Sequence, residues 1–135
     1  MKEDINPPKV EGVAVAIVCK ENELGEAEWS TYLLNLKDQE LKGVLVRSNG
    51  YGERDKERVT TSELRHMFDT VEPHKAVLVE PLMPEMTTLT NQYWVSFWCE
   101  GVLYDKKFIF VRGSLEERNF VQLPLLDGQR GVIIR

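Results

Sequence analysis

Few residues in this chain have side chains that could do chemistry. They are His66, His74, Cys19, Cys99, the run Ser48-Asn49-Gly50-Tyr51-Gly52, some paired carboxylates and an aromatic stretch over residues 91–112. Histidine, cysteine and acid are the donor types that hold zinc. Their spacing does not follow, since the sequence has no CxxC, HxH or HExxH. No metal site is expected, and both histidines read as surface or capping side chains. A nucleophilic cysteine needs a histidine base and a third group to orient it. Nothing in the order of residues links Cys19 or Cys99 to either histidine. Both fall on expected strands and read as core thiols, with a disulfide joining two sheets as the sharper alternative. A phosphate-cradling loop needs a longer glycine pattern and usually a lysine before a helix. Here the chain turns instead to Glu53-Arg54-Asp55-Lys56-Glu57-Arg58, so Gly50 and Gly52 read as turn residues requiring positive φ. The pairs Glu26 and Glu28, Asp38 and Glu40, and Glu116 and Glu117 all fall in expected turns and read as solvated charge. No catalytic residue and no cofactor follows from any of them.

The aromatic stretch carries the one constellation that points to function. Two alternating runs flank Glu100-Gly101, the pattern of a β-hairpin with a two-residue turn. Cys99 then pairs with Val102 and Phe97 with Tyr104. Tyr93, Val95, Phe97, Tyr104, Phe108 and Phe110 share one face, which should be core. Trp94, Ser96, Trp98, Leu103, Asp105, Lys107 and Ile109 share the other. Two tryptophans beside Ser, Asp and Lys are typical of a recognition surface. Trp94 should lie across from Lys107, within cation–π reach. Trp94, Trp98 and Lys107 are therefore the candidate binding residues. The alternative is that a loop or the N-terminal residues cover both rings.

The chain that must position them has 135 residues, enough for one domain with a real core. Hydrophobic residues make up 42% and charged residues 29%, ordinary values for a soluble protein. The net charge is -5, and lysines and arginines alternate with acids. Nucleic-acid binding rests on phosphate neutralisation, so this balance argues against it and against an anionic membrane surface. The N-terminal MKEDINPPKVEG is polar and lacks the apolar core of a signal peptide. The longest apolar run, residues 13–19, is too short to span a bilayer. A cytoplasmic location with reduced cysteines is expected.

Residues 1–10 read as a leader, because Pro7-Pro8 disfavours helix and strand pairing alike. Residues 11–135 read as a single domain. The run 13–19 is apolar on both faces and reads as a buried strand. Further strands are expected over 29–36, 41–47, 76–80 and 132–134. Residues 48–58 should form a charged loop and 83–90 another, with Pro81 ending the strand before it. Pro124 should make 120–126 an edge strand or extended segment. Its exposed backbone is a place where a second copy could add, with the proline opposing it. Residues 60–71 fit two templates. Leu64, Met67, Phe68 and Val71 have helical spacing behind a Thr60/Glu63 capping box, while Leu64, His66 and Phe68 form one face of a strand. The fold expected is all-β and mainly antiparallel: an immunoglobulin-like β-sandwich with at most one short helix near 60–71. An α+β arrangement is the alternative.

Several landmarks resemble one family along nearly the whole chain: PKVEGVAVAIV, NLKD, SNGYG, TSELRH, YWVSF, YDKKFIF and LPLL…GV. The chain is similar to a family of short bacterial proteins often labelled as a phenylalanyl-tRNA synthetase subunit. The resemblance implies an accessory role toward tRNA or the parent enzyme. It implies no aminoacylation, since 135 residues cannot house a class II catalytic domain. The residues themselves lead to a non-enzymatic binding or scaffolding module with a protein partner. A small enzyme using a Cys or His in a pocket is the remaining alternative.

Overall fold

In the computed structural model of the chain, which describes residues 8–135, the described residues form ten strands in two antiparallel sheets. The first sheet has the order β6-β2-β1-β10-β9, from β6 (Lys75–Leu82), β2 (Ala27–Asn35), β1 (Val13–Glu21), β10 (Arg130–Ile134) and β9 (Val121–Gln122). The second is centred on the long β3 (Leu41–Arg54). One side of β3 pairs with β5 (Leu64–Val71) and then β4 (Glu57–Thr60). The other side pairs with β7 (Thr90–Cys99), which forms the hairpin with β8 (Val102–Phe110). The fold is an all-β sandwich. Among the described residues no helix is long and apolar enough to cross a membrane.

Period-two patterning builds both layers of core. Val13, Val15 and Ile17 of β1 face the second sheet and pack with Val44, Val46, Tyr93, Val95, Phe97 and Phe108. The opposite face of β1, Ala14, Ala16 and Val18, packs with Leu34, Leu123 and Leu126. The run that reads as apolar on both faces is thus buried on both. Asn35 fixes the corner between the sheets: its side-chain amide donates to the carbonyls of Gln39, Val71 and Glu72.

Of the two templates that residues 60–71 fit, the strand is the one observed: Leu64–Val71 is β5 and no helix forms there. The helical template would have buried Leu64 and Met67, yet Met67 is 74% exposed and Leu64 half exposed. The ladder offered by β3 outweighs local helical spacing, as tertiary context commonly does. Residues 48–54 belong to β3 rather than a loop, and the turn lies at Asp55-Lys56, with φ of 53° and 67°. Gly50 and Gly52 serve close approach instead: a Cβ on Gly50 would meet Met86 Cε at 2.8 Å, and one on Gly52 would meet Leu89 Cδ2 at 2.9 Å. Pro81 lies inside β6, at the free edge of its sheet, where a missing N–H is tolerated. Pro124 lies outside the ladder, because β9 spans only Val121–Gln122. The leader expected at 1–10 falls outside the described residues as far as residue 7, and Val10 is buried in the core.

Candidate functional site

The hairpin has the register its sequence suggests. Cys99 pairs with Val102, Phe97 with Tyr104 and Trp94 with Lys107. Tyr93, Val95, Phe97, Phe108 and Phe110 are buried. Trp94 and Trp98 stand on the outer face of the second sheet, 38% and 47% exposed.

The register of four strands sets a row across this face. Arg65 on β5 pairs with Arg47 on β3, Arg47 with Trp94 on β7, and Trp94 with Lys107 on β8. The Arg47 guanidinium lies 4.6 Å from the Trp94 ring centroid and the Lys107 ammonium 5.0 Å. The indole Nε1 donates to Asp105 Oδ1 at 3.1 Å. Glu63 bonds Arg65 at 2.9 Å and lies 3.9 Å from Arg47. Trp94 is thereby held in one position before any ligand arrives. Cation–π contacts at such partly exposed sites contribute about 0.5–1 kcal/mol each.

Trp98 is positioned differently. Its partner on β3 is Lys42, and the β3–β7 register shifts between Lys42 and Leu45. Gly43 sits in that irregularity at φ of 55°, and a Cβ there would stand 3.3 Å from Trp98 Cδ1. The indole lies over backbone that glycine leaves bare. Met67 and Leu103 extend the apolar part of the face. Arg47, Arg65 and Gly43 are members that sequence reasoning did not name. Gly43 and Arg47 fall in the strand expected over 41–47 and Arg65 in the segment 60–71, and only the cross-strand register sets them beside Trp94 and Trp98.

A second cluster lies between the sheets. Ser48 Oγ donates to Glu80 Oε1 at 2.8 Å, and His66 Nε2 lies 2.7 Å from the same oxygen. Glu80 is only 7% exposed. A cavity of about 30 Å³ beside it is lined by Ser48, Thr61, Asn91 and Tyr93 among others, room for about one water. Tyr93 bonds Thr31 at 2.9 Å. Burial pushes its hydroxyl well above the usual phenol range, the Thr31 bond opposes this, and Glu80 adds to it. A serine, a histidine and an acid meet here without forming a nucleophilic relay. Both Ser48 and His66 address the carboxylate, so the imidazole does not stand at the serine hydroxyl as a Ser-His relay requires.

The remaining candidates are dispersed. His74 pairs with Asp38 at 2.7 Å on the surface. Cys19 and Cys99 are free, and Cys19 is half-buried rather than core. Burial pushes the Cys19 thiol up, and Glu117 and Glu21 add to the rise, which disfavours the nucleophilic thiolate. Among the described residues no three His, Cys, Asp or Glu side chains gather as a metal would require. No protein-family model matches the chain, and no curated protein matches it.

Proposed function

We propose that the protein is a non-enzymatic binding module that holds a protein partner on the outer face of its second sheet, through Trp94, Trp98 and Lys107. The observation that carries this reading is the exposed Trp94, fixed between Arg47 and Lys107 and bonded to Asp105. An aromatic ring already immobilised loses little entropy on binding, and Trp and Arg are the residues that most often dominate interface energy. Arg47 and Arg65 join the proposed contact set. An immunoglobulin-like sandwich and a cytoplasmic location belong to the same reading. The test is capture from native cell extract by the wild-type chain and by Trp94→Ala, with mass spectrometry of what is retained. Loss of one reproducible protein on the folded variant supports the reading. Identical capture by both chains overturns it.

A second reading has its own observation. The row Arg65, Arg47, Lys107 is a local basic stripe on an acidic chain. It suits the accessory role toward tRNA that the family resemblance implies. Binding of tRNA that weakens steeply with salt would support it. Cations already flank the Trp94 ring, which leaves little open face for a base and places the protein partner first.

A further inference from the structure

The free edge of β8 offers backbone groups that the binding face leaves unused, although the side chains on that edge also line the face. Its hairpin closes through Glu100-Gly101, at φ of 49° and 77°, between the paired residues Cys99 and Val102. A two-residue turn of this kind makes its flanking residues a hydrogen-bonded pair, and such pairs alternate along an antiparallel ladder. The backbone groups of Val102, Tyr104, Lys106, Phe108 and Phe110 therefore point at β7. Those of Leu103, Asp105, Lys107 and Ile109 point outward, and among the described residues no strand pairs with that edge.

The other sheet edges are obstructed. β6 contains Pro81 and pairs with β2 through a register shift. β9 has only two residues. The chain along the β4/β5 edge is interrupted between Thr60 and Leu64, and His66 ties β5 to Glu80 of the other sheet. β8 runs for nine residues with no proline and no shift in its pairing. A strand like this is a template for addition of another strand.

The outward residues of β8 are also self-complementary. In order they are apolar, acid, base and apolar: Leu103, Asp105, Lys107, Ile109. Two copies laid antiparallel about Lys106 place Leu103 opposite Ile109 and Asp105 opposite Lys107, each twice. All are residues whose backbone groups face outward, so hydrogen bonding and charge agree on one register. Sliding by one residue pair sets Asp105 against Asp105 or Lys107 against Lys107, which like charge disfavours. Lys106 would sit on the two-fold axis. Its ammonium already donates to the Arg135 carbonyl and lies 5.1 Å from the Phe108 ring centroid.

We propose that two copies of this chain pair through β8, antiparallel and centred on Lys106, and so join their second sheets into one. The pairing uses the backbone edge of the sheet and not the indole rings, while Lys107 serves both it and the partner-binding reading. It sets two Trp94 faces side by side on one continuous surface. A partner with two matching segments would then be held by avidity.

Sedimentation velocity of the full chain over a concentration series tests this, with circular dichroism as the check on folding. The wild type should reach the mass of two 15.6 kDa chains. Asp105→Lys and Lys107→Asp each place like charges opposite one another in both symmetry-related pairs. Each should raise the dimer dissociation constant roughly tenfold or more. The double variant D105K/K107D restores opposite charges and should recover the dimer. Trp94→Ala should leave it intact, so dimer loss and loss of partner capture are read separately. A wild type that stays monomeric, a dimer indifferent to the single reversals, or a double variant that does not recover would each overturn the proposal.

Discussion

His66 Nε2 lies 2.7 Å from Glu80 Oε1, and this bond joins β5 of one sheet to β6 of the other. Ser48 of β3 reaches the same oxygen at 2.8 Å, so one buried carboxylate gathers three strands. Glu80→Ala should cost about 2–4 kcal/mol, since it removes two charge-assisted bonds and strands the Ser48 hydroxyl. His66→Ala should cost about 1 kcal/mol, because the ring is partly hydrated. Denaturant unfolding of both variants and the double mutant measures the coupling. Equal and additive small losses would show that the carboxylate does not staple the sheets.

Tyr93 predicts a dependence on alkaline pH. Its folded pKa is raised, chiefly by burial, above the ordinary value of 10.0. Its contribution to stability is therefore fully present below pH 10 and is lost as pH rises from there toward the folded pKa. The slope for this one group is at most about 1.4 kcal/mol per pH unit. Unfolding at pH 8, 10 and 11 should show a shallower decline in Tyr93→Phe than in wild type. An unchanged decline would assign the effect to other groups.

The two faces of the hairpin should respond differently to truncation. Phe97→Ala and Phe108→Ala remove buried rings and should cost about 3–5 kcal/mol each. Trp94→Ala removes a partly exposed ring and should cost about 1 kcal/mol of stability, while weakening partner capture by about 2 kcal/mol or more. If Trp94→Ala destabilises as much as Phe97→Ala, the indole is a core group and not a contact.

Both cysteines are free thiols, so adding reductant should leave the melting temperature unchanged. A large drop on reduction would reveal a disulfide.

Glu100 occupies left-handed backbone at φ of 49°, a conformation that suits Asn better than Glu. Glu100→Asn should stabilise the hairpin by about 0.5–1 kcal/mol in thermal unfolding. A neutral or negative result would mean that Glu100 holds a compensating contact.

The sequence by itself determined the hairpin. Alternation with period two and a two-residue Glu-Gly turn leave one register, so Phe97 faces the core and Trp94 faces out. It also determined β1 as a doubly buried strand, since apolar residues at consecutive positions have no other use in a sheet. These are local signals, complete within about twenty residues. Only the tertiary structure decided that residues 64–71 are a strand, because the deciding partner, β3, lies elsewhere in the chain. The same holds for Arg47 beside Trp94, for the bare Gly43 beneath Trp98, and for Glu80 between Ser48 and His66. Each joins residues 14 to 55 positions apart in the sequence, through cross-strand register or, for Glu80, through the packing of one sheet on the other, and both are fixed by the whole sandwich and not by any one segment.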